Sequence, residues 1–231
     1  RHLNRQSDLT HNIHSLIILL MNHIWHNDRL TMERVVVKSK PNSYTQHRHK
    51  NNYSQDITPD ICAIKFMEEN FAEHAELFGS LANHQKPHTL FIGCSDSRVV
   101  PSLITSTLPG ELFVVRNIAN IVPPYRKSEE FLATTSAIEY ALQTLNVQNV
   151  IICGHSNCGG CAALWMDEAK FSKTPNVKRW LDLLGPVKRR VQKLFGDNIA
   201  KREWLTERLS LVNSFENLLS YPDVKAKFKD E

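Results

Sequence analysis

From residue 58 onward, short apolar runs alternate with stretches of helical period, and this alternation constrains the chain more than any other feature. The runs are HTLFIG (88–93), ELFVVRN (111–117) and NVIICG (149–154). All are of strand length, and the third is apolar without a break, as expected for a strand covered on both faces. The segments around them read as helices: SRVVPSLITST (short helix or turn), SEEFLATTSAIEYALQTLN, CAALWMDEA, NVKRWLDLLGPVKRRVQKLF with a break near Gly185–Pro186, and AKREWLTERLSLVNSFENLLS. In the second of these Ser128 is suited to cap, and Phe131, Thr135, Ile138, Leu142 and Leu145 share a face. A helical arm precedes the first strand. Thr58 can cap it, Pro59 suits its first position, and Ile61, Ile64, Met67, Phe71, Ala75 and Phe78 form its apolar stripe. The pattern predicts an α/β fold: a doubly wound, mainly parallel sheet flanked by helices, with right-handed connections and an N-terminal helical arm.

Residues 1–57 are different. They hold seven of the eleven histidines, and no glycine precedes Gly79. They also carry eight Lys/Arg against four Asp/Glu, whereas residues 58–231 carry twenty of each. The net charge of +4 therefore belongs to the leading segment. The main domain has no electrostatic footprint for nucleic acid. The stretch KPNSYTQHRHKNNYSQD (40–56) has no hydrophobic period. We read 1–57 as a disordered or non-native leader and 58–231 as the functional domain. The apolar run LIILLM (16–21) is far shorter than the ~20 residues of a membrane span, and no small-residue cleavage pattern follows it. No membrane association is expected.

Five cysteines stand at 62, 94, 153, 158 and 161. An odd number, mostly at strand ends, argues against a disulfide framework and for reduced thiols in a cytoplasm, with a periplasm as the alternative. Cys94 and His155 each follow a strand that ends in glycine, at Gly93 and Gly154. In doubly wound sheets, sites form beyond the carboxyl ends of strands. If the two strands are neighbours, Cys94, His155 and Cys158 converge with Asp96. Two thiolates and an imidazole suit zinc (Zn2+) and leave a fourth, exchangeable position. Asp96 can close that position as a fourth ligand. Paired with Arg98 in a bidentate contact, it is instead held off the metal and can orient a bound water.

The motifs CSDSR (94–98) and HSNCGG (155–160), with PGELFVVRNIAN between them, resemble the β-class carbonic anhydrases over roughly residues 60–225. The resemblance implies a zinc lyase, carbonate dehydratase, that hydrates carbon dioxide reversibly to bicarbonate and a proton by zinc-bound hydroxide. It implies Cys94, His155 and Cys158 as metal ligands and Asp96 and Arg98 as the catalytic dyad, with Asp96 a ligand only in a closed form. By the same resemblance Gln85 helps hold substrate, Phe113, Ile118 and Tyr140 line an apolar pocket partly built by a partner subunit, and backbone amides near Gly159 and Gly160 orient a substrate oxygen. Members are dimers or higher, so a homodimer or homotetramer is expected. Phe91 stands where members with an inhibitory bicarbonate site carry tryptophan, which predicts an open site. The family's last edge strand has no counterpart before the chain stops at KAKFKDE.

Rival readings remain at this stage. Cys158 and Cys161 also have a zinc or redox spacing, but no second cysteine pair exists. CSDSR is too short to wrap a phosphate as a cysteine phosphatase loop does. The same core could hydrolyse carbon disulfide or carbonyl sulfide, or serve as a zinc-binding module without turnover. His84 and His88 are either proton relays or plain surface histidines. Arg116 is expected to serve a subunit contact.

Overall fold

The structure is a computed structural model; it describes residues 63–126, 130–195 and 198–227, together with the strands at 15–21 and 33–35. Its sheet has five strands: β1 (Ser15–Met21), β2 (Glu33–Val35), β3 (Thr89–Cys94), β4 (Leu112–Asn117) and β5 (Asn149–His155). Their order is β2-β1-β5-β3-β4. The pairs β3–β4, β3–β5 and β1–β5 are parallel, and only the β1–β2 edge is antiparallel. The expected α/β architecture is present. Register aligns Thr89 with both Leu112 and Asn149, so β3, β4 and β5 end at nearly the same level.

No strand follows the last long helix among the described residues. Instead β1 lies along the outer edge of β5, Leu16 opposite Val150 and Met21 opposite His155. The reading of 1–57 as an unordered leader had no place for β1 and β2, and the rest of that segment lies outside the described residues. An unbroken apolar run suits a strand paired on both edges.

The helices are α1 (Ala75–Leu81), α2 (Pro101–Thr105), α3 (Leu132–Glu139), α4 (Gly159–Ala163), α5 (Pro175–Leu181), α6 (Gly185–Phe195), α7 (Ile199–Leu218) and α8 (Pro222–Lys227). The arm is helical over 63–81, with a π turn at Phe66–Asn70 and an interruption at His74. Its predicted stripe is left open in a single chain, with Ile64, Met67 and Phe71 exposed. The break near Gly185–Pro186 falls as expected: a 3-10 turn, Asp182–Leu184, separates α5 from α6. α3 starts at Leu132 after a left-handed Phe131, and Ser128, the expected cap, lies outside the described residues. Among the described residues, no helix is long and apolar enough to cross a membrane.

Two buried clusters hold the layers together. Leu90, Ile92, Ile138, Leu142, Val150, Ile152, Leu211 and Tyr221 form one. Cys94, Ala119, Ile121, Cys158, Cys161, Leu181 and Leu184 belong to the other, around the strand tips. Each fully buried aliphatic side chain contributes about 1.5–3 kcal/mol relative to exposure. α7 packs directly on β5, because a β-carbon on Gly154 would stand 3.0 Å from Leu211 Cδ1. One polar edge of α7 pins the segment after β4: Ser214 Oγ accepts from the Val122 N–H at 3.2 Å, and Asn217 Nδ2 donates to the Val122 carbonyl at 2.8 Å.

Candidate metal centre

β3 and β5 end side by side, and the residues at their tips meet. Cys94, His155 and Cys158 are all buried, and their ligand atoms lie within 4.8 Å of one another. Cys94 Sγ and Cys158 Sγ are 3.9 Å apart. Two sulfurs each ~2.3 Å from a tetrahedral ion stand about 3.8 Å apart, so the pair is spaced for one metal. His155 Nδ1 lies 3.0 Å from the Ser156 carbonyl oxygen, which can only accept. The proton therefore sits on Nδ1, and Nε2, buried with no hydrogen-bond partner, keeps its lone pair. The donor set is one that a metal ion completes.

Local backbone chemistry sets these positions. The Ser95 N–H donates to the Asn117 carbonyl, tying the end of β3 to the end of β4 at 2.8 Å. Asn117 closes the following turn through its side chain, accepting from the Ile121 N–H at 2.8 Å and donating to the Ile121 carbonyl at 2.9 Å. α4 then comes close to that turn. A β-carbon on Gly160 would stand 2.9 Å from Ala119 Cβ and from Ile118 Cγ2. Only glycine permits this approach, which carries Cys158 inward.

Asp96 faces Arg98. Arg98 Nε donates to Oδ1 at 2.9 Å and Nη2 to Oδ2 at 2.7 Å, and the Arg98 backbone N–H also reaches Oδ1 at 3.0 Å. These contacts hold the Asp96 carboxyl well below the usual carboxylate range, so it is ionised at any ordinary pH. Oδ2 lies 3.8 Å from His155 Nε2, beside the ligand cluster. Arg98 Nη2 donates a further bond to the Asn157 carbonyl at 3.0 Å.

The thiols are strongly perturbed. Cys94 is pushed up to about 12, first by its hydrogen bond with Cys158 and then by burial. Cys158 is also pushed up to about 12, first by its hydrogen bond with Cys161, while Cys94 pulls it down and burial adds to the rise. For His155 burial is the largest effect and lowers the pKa, but Cys94, the Ser156 carbonyl and Asp96 together outweigh it and the net direction is up.

The other sequence-identified residues are distributed more widely. Ile118 lies against Gly160, at the rim of the cluster, and its carbonyl accepts from Trp180 Nε1 at 2.8 Å. Gly159 opens α4, with open space around its α-carbon. Phe113 pairs its ring with Tyr140, centroids 5.9 Å apart. It stands opposite Leu90, four residues of strand before Cys94, or about 13 Å. Gln85, exposed, precedes β3 at its far end, as do His84 and His88. One chain therefore does not bring Gln85, Phe113 or Tyr140 to the thiols. His88 is used locally, its carbonyl accepting from the Gln148 and Asn149 N–H groups. Cys153 is a fully buried free thiol in the core, and Cys62 lies outside the described residues. Cys161 Sγ donates to Ser210 Oγ at 3.8 Å.

Two contributors escaped sequence reasoning. Arg116, expected at a subunit contact, works inside the chain: Nε donates to the Cys94 carbonyl at 3.0 Å and Nη2 to the Asp96 carbonyl at 2.7 Å. Glu207, on α7, accepts from the Cys158 N–H at 3.2 Å and is only 7% exposed. Its signal was present in the sequence, because Glu207 falls on the stripe of Leu211, Ser214 and Leu218 that α7 buries.

The carbonic anhydrase family profile matches residues 89–231. A carbonic anhydrase of Helicobacter pylori (strain J99 / ATCC 700824) is 47% identical over 169 residues, covering 71% of this chain and 76% of that protein. Among solved structures, the β-carbonic anhydrase CcaA superposes with a TM-score of 0.65 at 35% identity, over 73% of this chain and 75% of its own. One of two tetrameric β-carbonic anhydrases from the filamentous ascomycete Sordaria macrospora superposes with a TM-score of 0.63 at 30% identity, over 73% and 83%.

Proposed function

The chain belongs to the β-class carbonic anhydrases and is an enzyme of that family, a carbonate dehydratase; on that premise we propose that Cys94, His155 and Cys158 hold zinc and that Asp96 and Arg98 orient the reaction beside it. The observation that carries this reading is the spacing of the three ligand atoms next to a carboxylate restrained by a guanidinium. Zinc bound there supplies Lewis acidity that makes water a nucleophile near neutral pH.

The chain's own residues do the rest. The Nδ1–H bond to Ser156 fixes the tautomer and plane of His155. Asp96, ionised and turned toward Arg98, is engaged by the guanidinium, so with zinc bound it would stay out of the ligand set, as an open site requires. Its Oδ2, 3.8 Å from His155 Nε2 and so beside the ligand cluster, would accept a hydrogen bond from a nucleophilic water there and orient it. Arg98 holds Oδ2 in that direction and cannot lose its own proton at working pH. Carbon dioxide is linear and apolar, so it needs an apolar wall and one weak donor. Ile118 supplies wall next to α4, and the amides at Gly159 and Gly160 are the nearest donors in the chain's order. The reaction forms bicarbonate and one proton, and that proton would have to pass on to buffer. Positioning of this kind accounts for a large part of the rate.

The remaining wall and the Gln85 contact come from a second copy of the chain. Leu103 (73% exposed), Met67 (69%) and Leu108 (54%) are too apolar and too open for a monomer's surface, and we assign them to a homodimer or homotetramer contact. Phe113 and Tyr140 reach the site from that copy. We assign catalysis to residues 58–231, whose sheet β1 and β2 extend at the β5 edge, and the free thiols of this part suit a reducing cytoplasm. The test is stopped-flow hydration of carbon dioxide with metal analysis on the same sample. One zinc per chain with hydration is expected. Zinc uptake without hydration marks a non-catalytic module, and hydrolysis of carbonyl sulfide in its place marks a different substrate.

A further inference from the structure

We infer that Glu207 is a positioning residue for the metal centre, holding through one peptide plane both the ligand Cys158 and the Arg98 that restrains Asp96. The inference rests on the zinc reading above and deepens it.

The peptide unit that joins Asn157 to Cys158 is gripped at both ends. Its carbonyl accepts from Arg98 Nη2 at 3.0 Å, and its N–H donates to Glu207 Oε1 at 3.2 Å. The preceding N–H, that of Asn157, also favours the charged form of the Glu207 carboxyl. Asn157 is left-handed, with φ 53°, a conformation asparagine tolerates, and it makes the sharp turn that presents this peptide plane to both groups. From Asp96 the chain of contacts runs through Arg98 and the peptide plane to a carboxylate on α7. A shift of that plane would move Cys158 Sγ and the donor end of Arg98 together.

Burial gives a second argument. A carboxylate that is 7% exposed on the packed face of a helix carries a large desolvation cost. Burial does push its carboxyl up, and the two turn N–H groups are the main forces pulling it back. Neither Glu207 oxygen enters an ion pair of 4 Å or less among the described residues. The described work of this carboxylate is therefore to hold the turn. Carboxylates that orient ligands from behind change metal affinity by about 10–100-fold when removed.

The experiment uses the full chain and three proteins: wild type, Glu207→Gln and Glu207→Ala. Each is titrated with zinc against a colorimetric chelator, and the cobalt(II) form of each is examined by absorption. Glu207→Gln keeps an acceptor oxygen and should bind zinc within about threefold of wild type, with the same cobalt bands. Glu207→Ala should bind about 10–100-fold more weakly, with shifted thiolate-to-cobalt bands. Wild-type affinity and spectrum in a folded Glu207→Ala protein would overturn the inference, as would a Gln variant as impaired as Ala. If Ala does not fold, Glu207→Asp replaces it: its shorter reach should give the weakened, shifted behaviour, and a wild-type result refutes the role. Failure of the wild type itself to take up zinc would sink the metal reading instead, so the two outcomes are distinct.

Discussion

Asp96 and Arg98 are joined by two nearly parallel hydrogen bonds, 2.9 Å to Oδ1 and 2.7 Å to Oδ2, while the same guanidinium reaches across to the Asn157 carbonyl. The pair is thus tied to both motifs, one on each strand tip. Asp96→Asn removes the charge and leaves the three ligands in place. We expect zinc content to stay at the wild-type level and hydration kcat/KM to fall by about 100-fold or more, read by stopped flow. An unchanged rate would show that the carboxylate has no orienting part.

Arg116 donates to the carbonyls of Cys94 and Asp96, two backbone acceptors flanking Ser95. Arg116→Ala leaves both without this partner, the Cys94 carbonyl in a partly buried setting and the Asp96 carbonyl in an exposed one. A loss of about 1–3 kcal/mol in urea unfolding is expected, with faster zinc release to a chelator. Arg116→Lys supplies one donor in place of the fork and should fall between the two. Full stability in the alanine variant would mean that water replaces both bonds.

Metal uptake should release protons. Cys94 and Cys158, both pushed up to about 12, are fully protonated at pH 7, and each must become a thiolate to bind. Calorimetric titration with zinc in buffers of different ionisation enthalpy should report at least two protons released in all, one of them from each thiol. The apparent affinity should rise steeply with pH between about 6 and 8. Release of fewer than two protons would mean that one thiol is not a ligand.

Gly154 and Gly160 are positions where close approach has no spare room. Gly154→Ala drives a methyl into Leu211 at 3.0 Å, and Gly160→Ala meets both Ala119 Cβ and the Ala119 backbone nitrogen, 3.2 Å away. Leucine can shift and backbone cannot. The second substitution should therefore cost more, about 2–3 kcal/mol against about 1 kcal/mol in chemical unfolding. The reverse order would mean that α4 moves more freely than α7.

Tyr221 is fully buried, its hydroxyl donating to the Pro123 carbonyl at 3.2 Å, and burial raises its pKa. Its folded pKa lies above the unfolded value of about 10. The stability it contributes is complete below pH 10 and is lost as pH climbs through the folded pKa. Tyr221→Phe should cost about 1 kcal/mol at pH 8 and should flatten the fall in urea midpoint between about pH 9.5 and 11. Identical slopes would contradict this.

The strands and the motif residues were legible because both are local. Runs such as Leu90–Gly93 state their burial by composition, and Cys94, Asp96 and Arg98 sit within one turn of each other. What was not legible depended on distant partners or on helix phase. β1 pairs with a strand more than a hundred residues away, and its apolar run alone is also what a short buried helix or signal segment would show. The π turns at Phe66–Asn70 and Tyr140–Thr144 insert a residue into the helical period, which no stripe of apolar positions reveals. Gln85, Phe113 and Tyr140 were placed by resemblance, and their distance from the thiols along β3 becomes visible only with the register in hand. Glu207 was readable in principle, as an acid on an otherwise buried stripe.

β3 is hydrogen-bonded along both edges, and β5 likewise, and these are the strands that end in Cys94 and His155. Two of the three anchor points are thus set by the sheet before any ion arrives. Side chains alternate faces along a strand, so a slip of one residue in β3 or β5 would turn Cys94 or His155 to the opposite face of the sheet and part the donor set; the ladders that fix register are what keep these two ligands facing one another.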